Sequence, residues 1–297
     1  MVERTTLNDF IQYWSPRFRD AGIEEPRQEL RFLLREALDW EISEQYLRAD
    51  EALSAEALGR LQLFAARREA REPLSHIFQS AYFYGHRFFL SEDGLAPRPE
   101  SELLVETARE LLPGGRNAGV FLAEFCCGCG APGLSLLKSL CEEGNAPGSL
   151  LLSDIDAASL AVAERNSRQL GIRDYCRFEA ADLVPGDLRE ESLSLILINP
   201  PYIPGKTVDQ LMPEVRLFES ARCLDGGEDG LDFYRRIARE IPFCLARGGW
   251  IIMEHGEGQR SDILDIFRAS EEFDSSLVKE DFSGKDRLIA CRRKPFR

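Results

Sequence analysis

Asn199, Pro200, Pro201 and Tyr202 follow one another directly after an apolar run, Leu193–Ile198, that predicts a buried strand. Two prolines can neither continue a strand nor sit inside a helix, so they hold the chain in a fixed, extended turn. A carboxamide and an aromatic ring are thereby held at a strand's C-terminal end, the edge of an open α/β sheet where ligands bind. That arrangement suits one chemical problem. A planar amide or amino nitrogen is a poor nucleophile, because its lone pair is delocalised. Let the Asn199 side-chain oxygen and the Pro200 carbonyl both accept hydrogen bonds from one NH2 group. The nitrogen is then fixed, its lone pair can be aimed at an electrophilic carbon, and the two dipoles stabilise the positive charge that grows on it. Pro201 keeps the turn rigid, and Tyr202 can lay its face on the flat substrate group. No metal and no strong base is required. For these four residues alone, a loop that merely turns the chain stays open as the plainer reading.

A second group lies upstream. Residues 120–125 predict a strand, and Glu124-Phe125-Cys126-Cys127-Gly128-Cys129-Gly130-Ala131-Pro132-Gly133 follows on its end. Gly128, Gly130 and Gly133 make a G-x-G-x-x-G, which lets backbone approach a ligand and turn sharply into a helix N-terminus. A pyrophosphate, and hence a nicotinamide oxidoreductase, is one reading. The acids argue for another. Glu124 would repel a pyrophosphate but can face a cationic α-amino group. Asp154 ends the next predicted strand, at 150–153, and can accept from both hydroxyls of a ribose. Asp182, followed by Leu183, comes after a third strand at 176–180 and can accept from an adenine amino group. Amino acid, ribose and adenine without phosphates describe S-adenosylmethionine, whose sulfonium carries a methyl group activated for attack. Each acid alone reads equally as a solvated loop carboxylate; their succession at three strand ends before Asn199 favours the pocket.

The elements that must position these residues follow from periodicity. Residues 1–75 read as all-helical, with apolar positions at helical spacing in Leu7-Phe10-Ile11-Trp14, in Leu30-Leu33-Leu34-Ala37-Leu38 and in Leu58-Leu61-Leu63-Phe64. Pro26 suits a helix first turn and Ser54 an N-cap. Such a segment is too simple to hold the chemistry and reads as a docking or lid domain. Residues 76–100 form a connector, with an aromatic hairpin from Tyr82 to Leu90 turning at Gly85. Residues 101–297 then carry the chemistry. A helix from about Glu100 to Leu111 precedes an alternation of strands at 120–125, 150–153, 176–180, 193–198 and 250–254 with helices at 133–140, 157–170, 231–245 and 262–268. Two final strands, near 277–281 and 287–292, lack a helix between them and predict an antiparallel hairpin. Alternation of this kind means an α/β fold with a mostly parallel sheet covered by helices on both faces.

Composition bounds the partners. With 297 residues and a net charge of −14, the chain is long enough for one large or two ordinary domains and carries no basic stripe for phosphates. Direct nucleic-acid binding is not expected. Arg292-Arg293-Lys294 read as a solvated tail. No apolar run is long enough to span a membrane, and Met1-Val2-Glu3-Arg4-Thr5 lacks a leader pattern, so a cytoplasmic location is expected. Eight cysteines in such a chain are expected to be reduced. Cys126 and Cys129 make a C-x-x-C, but no second ligand pair accompanies them. They read as small side chains in a tight turn, and no metal is expected.

These residues together resemble the protein-(glutamine-N5) methyltransferases of the HemK type, a family of class I S-adenosylmethionine-dependent methyltransferases. Within it they are most similar to the type acting on peptide chain release factors. The likeness covers nearly the whole chain. It runs from Arg71-Glu72-Pro73-Leu74-Ser75-His76-Ile77 through Phe83-Tyr84-Gly85, Pro97-Arg98-Pro99-Glu100-Ser101-Glu102, Asn199 to Ile203 and Pro213-Glu214-Val215 to Gly226-Gly227-Glu228-Asp229-Gly230-Leu231-Asp232-Phe233-Tyr234. Asn-Pro-Pro-Tyr is shared with amino-DNA methyltransferases and fixes the chemistry alone; the Pro-Arg-Pro-Glu and Gly-Gly-Glu-Asp-Gly-Leu stretches are more specific. The resemblance implies a seven-stranded sheet with its last strand antiparallel, behind a small helical domain that helps dock the release factor. The implied target is the glutamine of that factor's Gly-Gly-Gln loop. Asn199 and Pro200 would hold the amide and Tyr202 flank it, with Pro201 in the same substrate turn. Glu124, Cys126, Cys127, Gly128, Cys129, Gly130, Asp154, Asp182, Leu183 and Asn199 would line the cofactor. A monomer is expected.

Departures concentrate in the cofactor loop. The family usually has Asp at the position of Glu124, Gly at that of Cys126, and small or hydroxylic residues where Cys127 and Cys129 stand. Pro132 and Ser220 are also unusual. A longer acid and a Cys that restricts φ at 126 predict a shifted or weakened cofactor pose with activity retained. Other substrates compatible with the residues are a ribosomal-protein glutamine and the N6 of adenine in DNA, the latter disfavoured by the acidic balance because base extrusion needs a grip on phosphates. A binding protein with a degenerate cofactor loop is the non-enzymatic reading.

Overall fold

The computed structural model describes residues 4–92, 94–112 and 119–295; Met1, Val2 and Glu3, which entered the leader argument, lie outside them. The chain divides into two compact units, one of Met1–Gln79 with Met212–Phe218, the other of Ser80–Leu211 with Glu219–Arg297.

The first unit is helical: α1 (Leu7–Asp20), α2 (Pro26–Leu38), α3 (Ile42–Leu47), α4 (Ala55–Glu69) and the one-turn α5 (Leu74–Ile77). Helix starts are written locally. Thr6 and Asp9 cap α1 reciprocally, Pro26 opens α2, and the Ser54 hydroxyl accepts from the Ala57 N–H at 3.1 Å. Leu7, Phe10, Trp14 and Phe18 of α1, Leu30, Leu33 and Leu34 of α2, and Leu61 and Ala65 of α4 form the core, each set at the three- and four-residue spacing that lines one helix face. The returning segment, with α9 (Pro213–Arg216), is fixed to this unit by Glu214. Its carboxylate takes Arg71 Nε at 2.6 Å and Arg68 Nη1 and Nη2 at 3.1 Å, while Arg68 Nε also donates to Glu29 at 2.6 Å.

The second unit opens with the hairpin β1 (Ser80–Phe83) and β2 (His86–Phe89). Its two turn residues, Tyr84 and Gly85, have φ of 49° and 77°, the left-handed pair that matches the twist of a tight hairpin. A seven-stranded sheet follows, made of β3 (Phe121–Phe125), β4 (Ser149–Asp154), β5 (Cys176–Ala180), β6 (Leu193–Ile198), β7 (Leu245–Glu254), β8 (Phe273–Glu280) and β9 (Asp286–Arg293) in the order β5-β4-β3-β6-β7-β9-β8. All contacts from β5 to β7 are parallel, and β9 runs antiparallel between β7 and β8. Helices α6 (Glu102–Leu111), α7 (Ala131–Glu142) and α8 (Ala157–Gln169) contribute to the core on one face, and α10 (Asp232–Cys244) and α11 (Arg260–Ala269) to that on the other. The apolar strands fit this double covering, since both faces are dry.

One expectation is overturned. Arg292 and Arg293 are part of β9, and Arg293 is buried, its guanidinium on the Leu245 carbonyl and 3.2 Å from Glu191. A strand with neighbours on both sides turns alternate side chains inward whatever their charge, and this one is paired. Helix α7 also begins two residues earlier than its apolar pattern predicts, with Pro132 in its first turn, where a missing N–H leaves no bond unmade.

Candidate active site

The chain leaves β3 for β4 and β5 on one side and returns at β6 on the other, so the order reverses between β3 and β6. The crevice beyond those two C-termini is the expected ligand site of such a sheet. Register places the candidate residues around it. Phe125 pairs with Ser153 on one side and Ile198 on the other, so Cys126, Asp154 and Asn199 lie one step beyond, at a common level on three adjacent strands. With about 5 Å between neighbours, the Asp154 and Asn199 backbones stand about 10 Å apart.

Asn199 is half-buried, and its carboxamide makes no hydrogen bond among the described residues. Pro200 and Pro201 are buried. Tyr202 lies mostly inside, its hydroxyl donating to Glu254 Oε1 at 3.2 Å and its carbonyl accepting from Gln259 Nε2 at 2.9 Å. Burial beside Glu254 pushes its phenol well above the ordinary range, so it is a neutral donor at physiological pH.

This turn is backed by residues that sequence reasoning left without a role. Ile203 N–H donates to the Leu224 carbonyl at 2.9 Å and Gly226 N–H to that of Ile203 at 2.8 Å. A Cβ on Gly226 would lie 2.8 Å from Tyr202 Cα and 2.9 Å from the Pro201 oxygen; on Gly230, at φ 78°, it would lie 2.4 Å from the Tyr202 oxygen. The glycines of Gly-Gly-Glu-Asp-Gly thus let a second backbone lie against the Asn-Pro-Pro-Tyr turn. The stretch was recognisable as a motif; its contact with residue 202 needed the fold.

On the β3 side, Gly128 donates its N–H to Asp154 Oδ2 at 2.8 Å, and the Asp156 N–H donates to Oδ1 at 2.9 Å. Desolvation raises the Asp154 carboxyl while these donors oppose the rise. A Cβ on Gly128 would meet nothing within 4 Å, so this glycine borders open space. Gly130 differs: at φ 77°, it packs where a Cβ would lie 2.8 Å from Leu152 and 3.0 Å from Leu134, which makes it a close-packing residue. Cys126 adopts φ 53°, the left-handed region that favours glycine, as the departure at this position predicts. Cys127 and Cys129 are buried; burial pushes the Cys129 thiol up to about 12 and the Cys127 thiol also well up. Protonated thiols are poor nucleophiles, which favours the small-side-chain reading of this C-x-x-C over a reactive one.

Glu124 points beneath the loop. It is 3% exposed, and its Oε2 accepts from the Gly133 N–H at 2.8 Å, where a Cβ would lie 2.5 Å from that oxygen. Burial raises its carboxyl to about 8, against the pull of the Gly133 donor. Asp182 is exposed and held by Arg236 of α10 at 2.8 Å; Leu183, at φ 73°, is buried and turns the chain beneath it. Asn166 of α8, which no sequence signal marked, ties the Cys129 carbonyl (2.9 Å) to the Phe89 backbone (2.8 Å to its N–H and 3.0 Å to its carbonyl), anchoring the loop to the hairpin.

This sheet, with a glycine loop and an acid at successive strand ends, defines the methyltransferase class. The hMettl16 catalytic domain shares the fold at a TM-score of 0.54 with 14% identity, over 82% of this chain and 83% of that one. Residues 9–78 match the PrmC N-terminal domain, and 99–229 the methyltransferase small domain. Proteins named release factor glutamine methyltransferase are similar over most of their length. That of Rhodospirillum rubrum is 35% identical over 94% of this chain and 82% of its own, and that of Geobacter sulfurreducens 33% over 97% and 96%. The Cereibacter sphaeroides protein is 35% identical over 96% and 97%. The chain belongs to the release factor glutamine methyltransferase family.

Proposed function

We propose that the protein transfers a methyl group from S-adenosylmethionine to the side-chain amide nitrogen of the glutamine in the Gly-Gly-Gln loop of peptide chain release factors. The observation that carries this reading is the Asn199 carboxamide beside the switch point, without a hydrogen-bond partner among the described residues, on a turn whose backbone is fixed from behind. Asn199 Oδ1 and the Pro200 carbonyl accept hydrogen bonds from the two amide N–H groups, which localises the nitrogen lone pair and stabilises positive charge as it develops. Tyr202, neutral and tethered at its hydroxyl, flanks the amide plane. The proton released from nitrogen passes to water.

The β3–β4 edge suits the cofactor. Space lies open beside Gly128, and each Asp154 oxygen, holding one backbone N–H, retains a lone pair for a ribose hydroxyl. Glu124 Oε1, without a hydrogen-bond partner among the described residues, can take the amino group. Asp182 and Leu183 border the adenine, with Arg236 steadying Asp182. Cys126, Cys127 and Cys129 shape the loop, and Gly130 lets it close on Leu152. Bound there, S-adenosylmethionine supplies an electrophilic methyl on a sulfonium, and the chain's residues align the acceptor without a metal. The helical unit docks the release factor, with no nucleic acid in the complex, and the enzyme acts as a cytoplasmic monomer.

Asn199→Ala tests the assignment. It abolishes transfer to release factor while cofactor affinity, read by calorimetry, stays within about twofold, because the lost acceptor contacts the amide. Full activity in this variant removes Asn199 from the mechanism.

A further inference from the structure

Glu254 is a buried carboxylate that amide alignment does not itself require. It ends β7, beside β6, where Met253 pairs with Ile198, and is 2% exposed. Three hydroxyls from three parts of the chain converge on it. Ser101 Oγ donates to Oε2 at 2.5 Å, Tyr202 Oη to Oε1 at 3.2 Å, and Tyr234 Oη to its main-chain carbonyl at 2.7 Å. A carboxylate in so dry a place is retained at a desolvation cost that an apolar residue would avoid. The Tyr202 backbone is already fixed by Gln259 and the close approach of Gly226, but these contacts leave rotation about Cα–Cβ, and so the place of the ring, free. The hydroxyl bond to Glu254 removes that freedom.

We propose that Glu254 is a positioning residue for methyl transfer, fixing through the Tyr202 hydroxyl the position of the ring that flanks the glutamine amide. Ser101 holds the second carboxylate oxygen, and so sets the direction in which the first points. The inference rests on the reading that Tyr202 flanks the amide.

The groups facing Glu254 are Glu100 and Ser101 before α6, Tyr202 after β6, Tyr234 of α10 and Arg287 of β9, with His255 adjoining it in the chain. Burial raises its carboxyl above the usual range; Arg287 and the two hydroxyl donors oppose the rise and Glu100 adds to it. An ionised Glu254 accepts from both hydroxyls. A protonated one turns an oxygen into a donor and releases one of them. Turnover therefore falls as pH drops through this raised value, and a variant without the carboxylate or without the phenol lacks that acid limb.

The test compares Tyr202→Phe, Tyr202→Ala, Glu254→Gln and the Tyr202→Phe/Glu254→Gln double variant of the full chain, with release factor and saturating S-adenosylmethionine. Tyr202→Phe and Glu254→Gln each lower kcat about tenfold with the KM for cofactor unchanged, as loss of alignment does. The double variant is no slower than the slower single one, since both act through one bond. Multiplying losses overturn the proposal, as does Glu254→Gln with normal kcat and a normal acid limb. Should Glu254→Gln fail to fold, Tyr202→Phe decides alone, because an acid limb that persists without the phenol overturns it equally. Normal kcat in Tyr202→Ala defeats the reading of Tyr202 itself, and this inference with it. Slow Tyr202→Ala beside normal Glu254→Gln defeats only the positioning role.

Discussion

Cys126 occupies a backbone conformation that costs a residue with a Cβ about 1 kcal/mol or more. Glycine enters it freely, so Cys126→Gly raises the thermal midpoint of the cofactor-free protein, net of the entropy that glycine brings. An unchanged or lower midpoint contradicts the strain. Glu124 makes a second residue-level prediction. Its carboxyl, raised to about 8, holds a proton in the folded chain that the unfolded chain releases near its ordinary value of 4.5. Its contribution to stability therefore declines as pH climbs between those values. An amino group arriving beside it favours the ionised form, so cofactor binding below pH 8 releases a proton and tightens as pH rises from about 6 to about 8. Calorimetry in buffers of different ionisation heat reads this directly, and Glu124→Gln removes the proton release. Binding without proton release in the unmodified protein separates Glu124 from the amino group.

At the scale of elements, the candidate site is a set of strand ends, and the strands that carry them are legible in the sequence. Residues 176–180 and 193–198 are strands with the bounds their apolar patterns predict, and a strand end fixes where the next residue stands. Asp154, Asp182 and Asn199, which punctuate those ends, are therefore expected along one edge of the sheet, and the strand register puts them there. What backs the ends is not local. Gly226 and Gly230 act on Tyr202 from more than 20 residues away, and Asn166 reaches across to the hairpin; only the fold makes them neighbours. Nor does the sequence distinguish Gly128, beside open space, from Gly130, against Leu152, although both stand in one motif. Gly226→Ala tests the backing: its Cβ would fall 2.8 Å from Tyr202 Cα, so the turn must shift. A shift on the order of 1 Å lowers kcat roughly 100-fold with cofactor affinity nearly intact. Normal turnover in that variant shows that the turn tolerates displacement.

For the molecule as a whole, the helical unit is not one continuous stretch: Met212–Phe218 belongs to it although the chain on either side belongs to the other unit. Its anchor is Glu214, whose carboxylate Arg68 and Arg71 grip while their attraction lowers its pKa against burial. Glu214→Ala leaves Arg68, almost wholly buried, with Glu29 alone and Arg71 without this carboxylate, which costs the helical unit about 3 kcal/mol and opens residues 212–218 to proteolysis. Unchanged protection of that segment contradicts the anchor. The helical character of residues 1–75 is plain from spacing, whereas the capture of a segment 140 residues downstream rests on charges that read as ordinary surface groups in the sequence.

The most direct measurement of the proposed transfer is incorporation of label from S-adenosylmethionine into purified release factor, beside a variant with Ala in place of the Gln of its Gly-Gly-Gln loop. Label is expected on the normal factor and not on the variant. Equal label on both, or none on either while the cofactor binds, contradicts the proposed transfer.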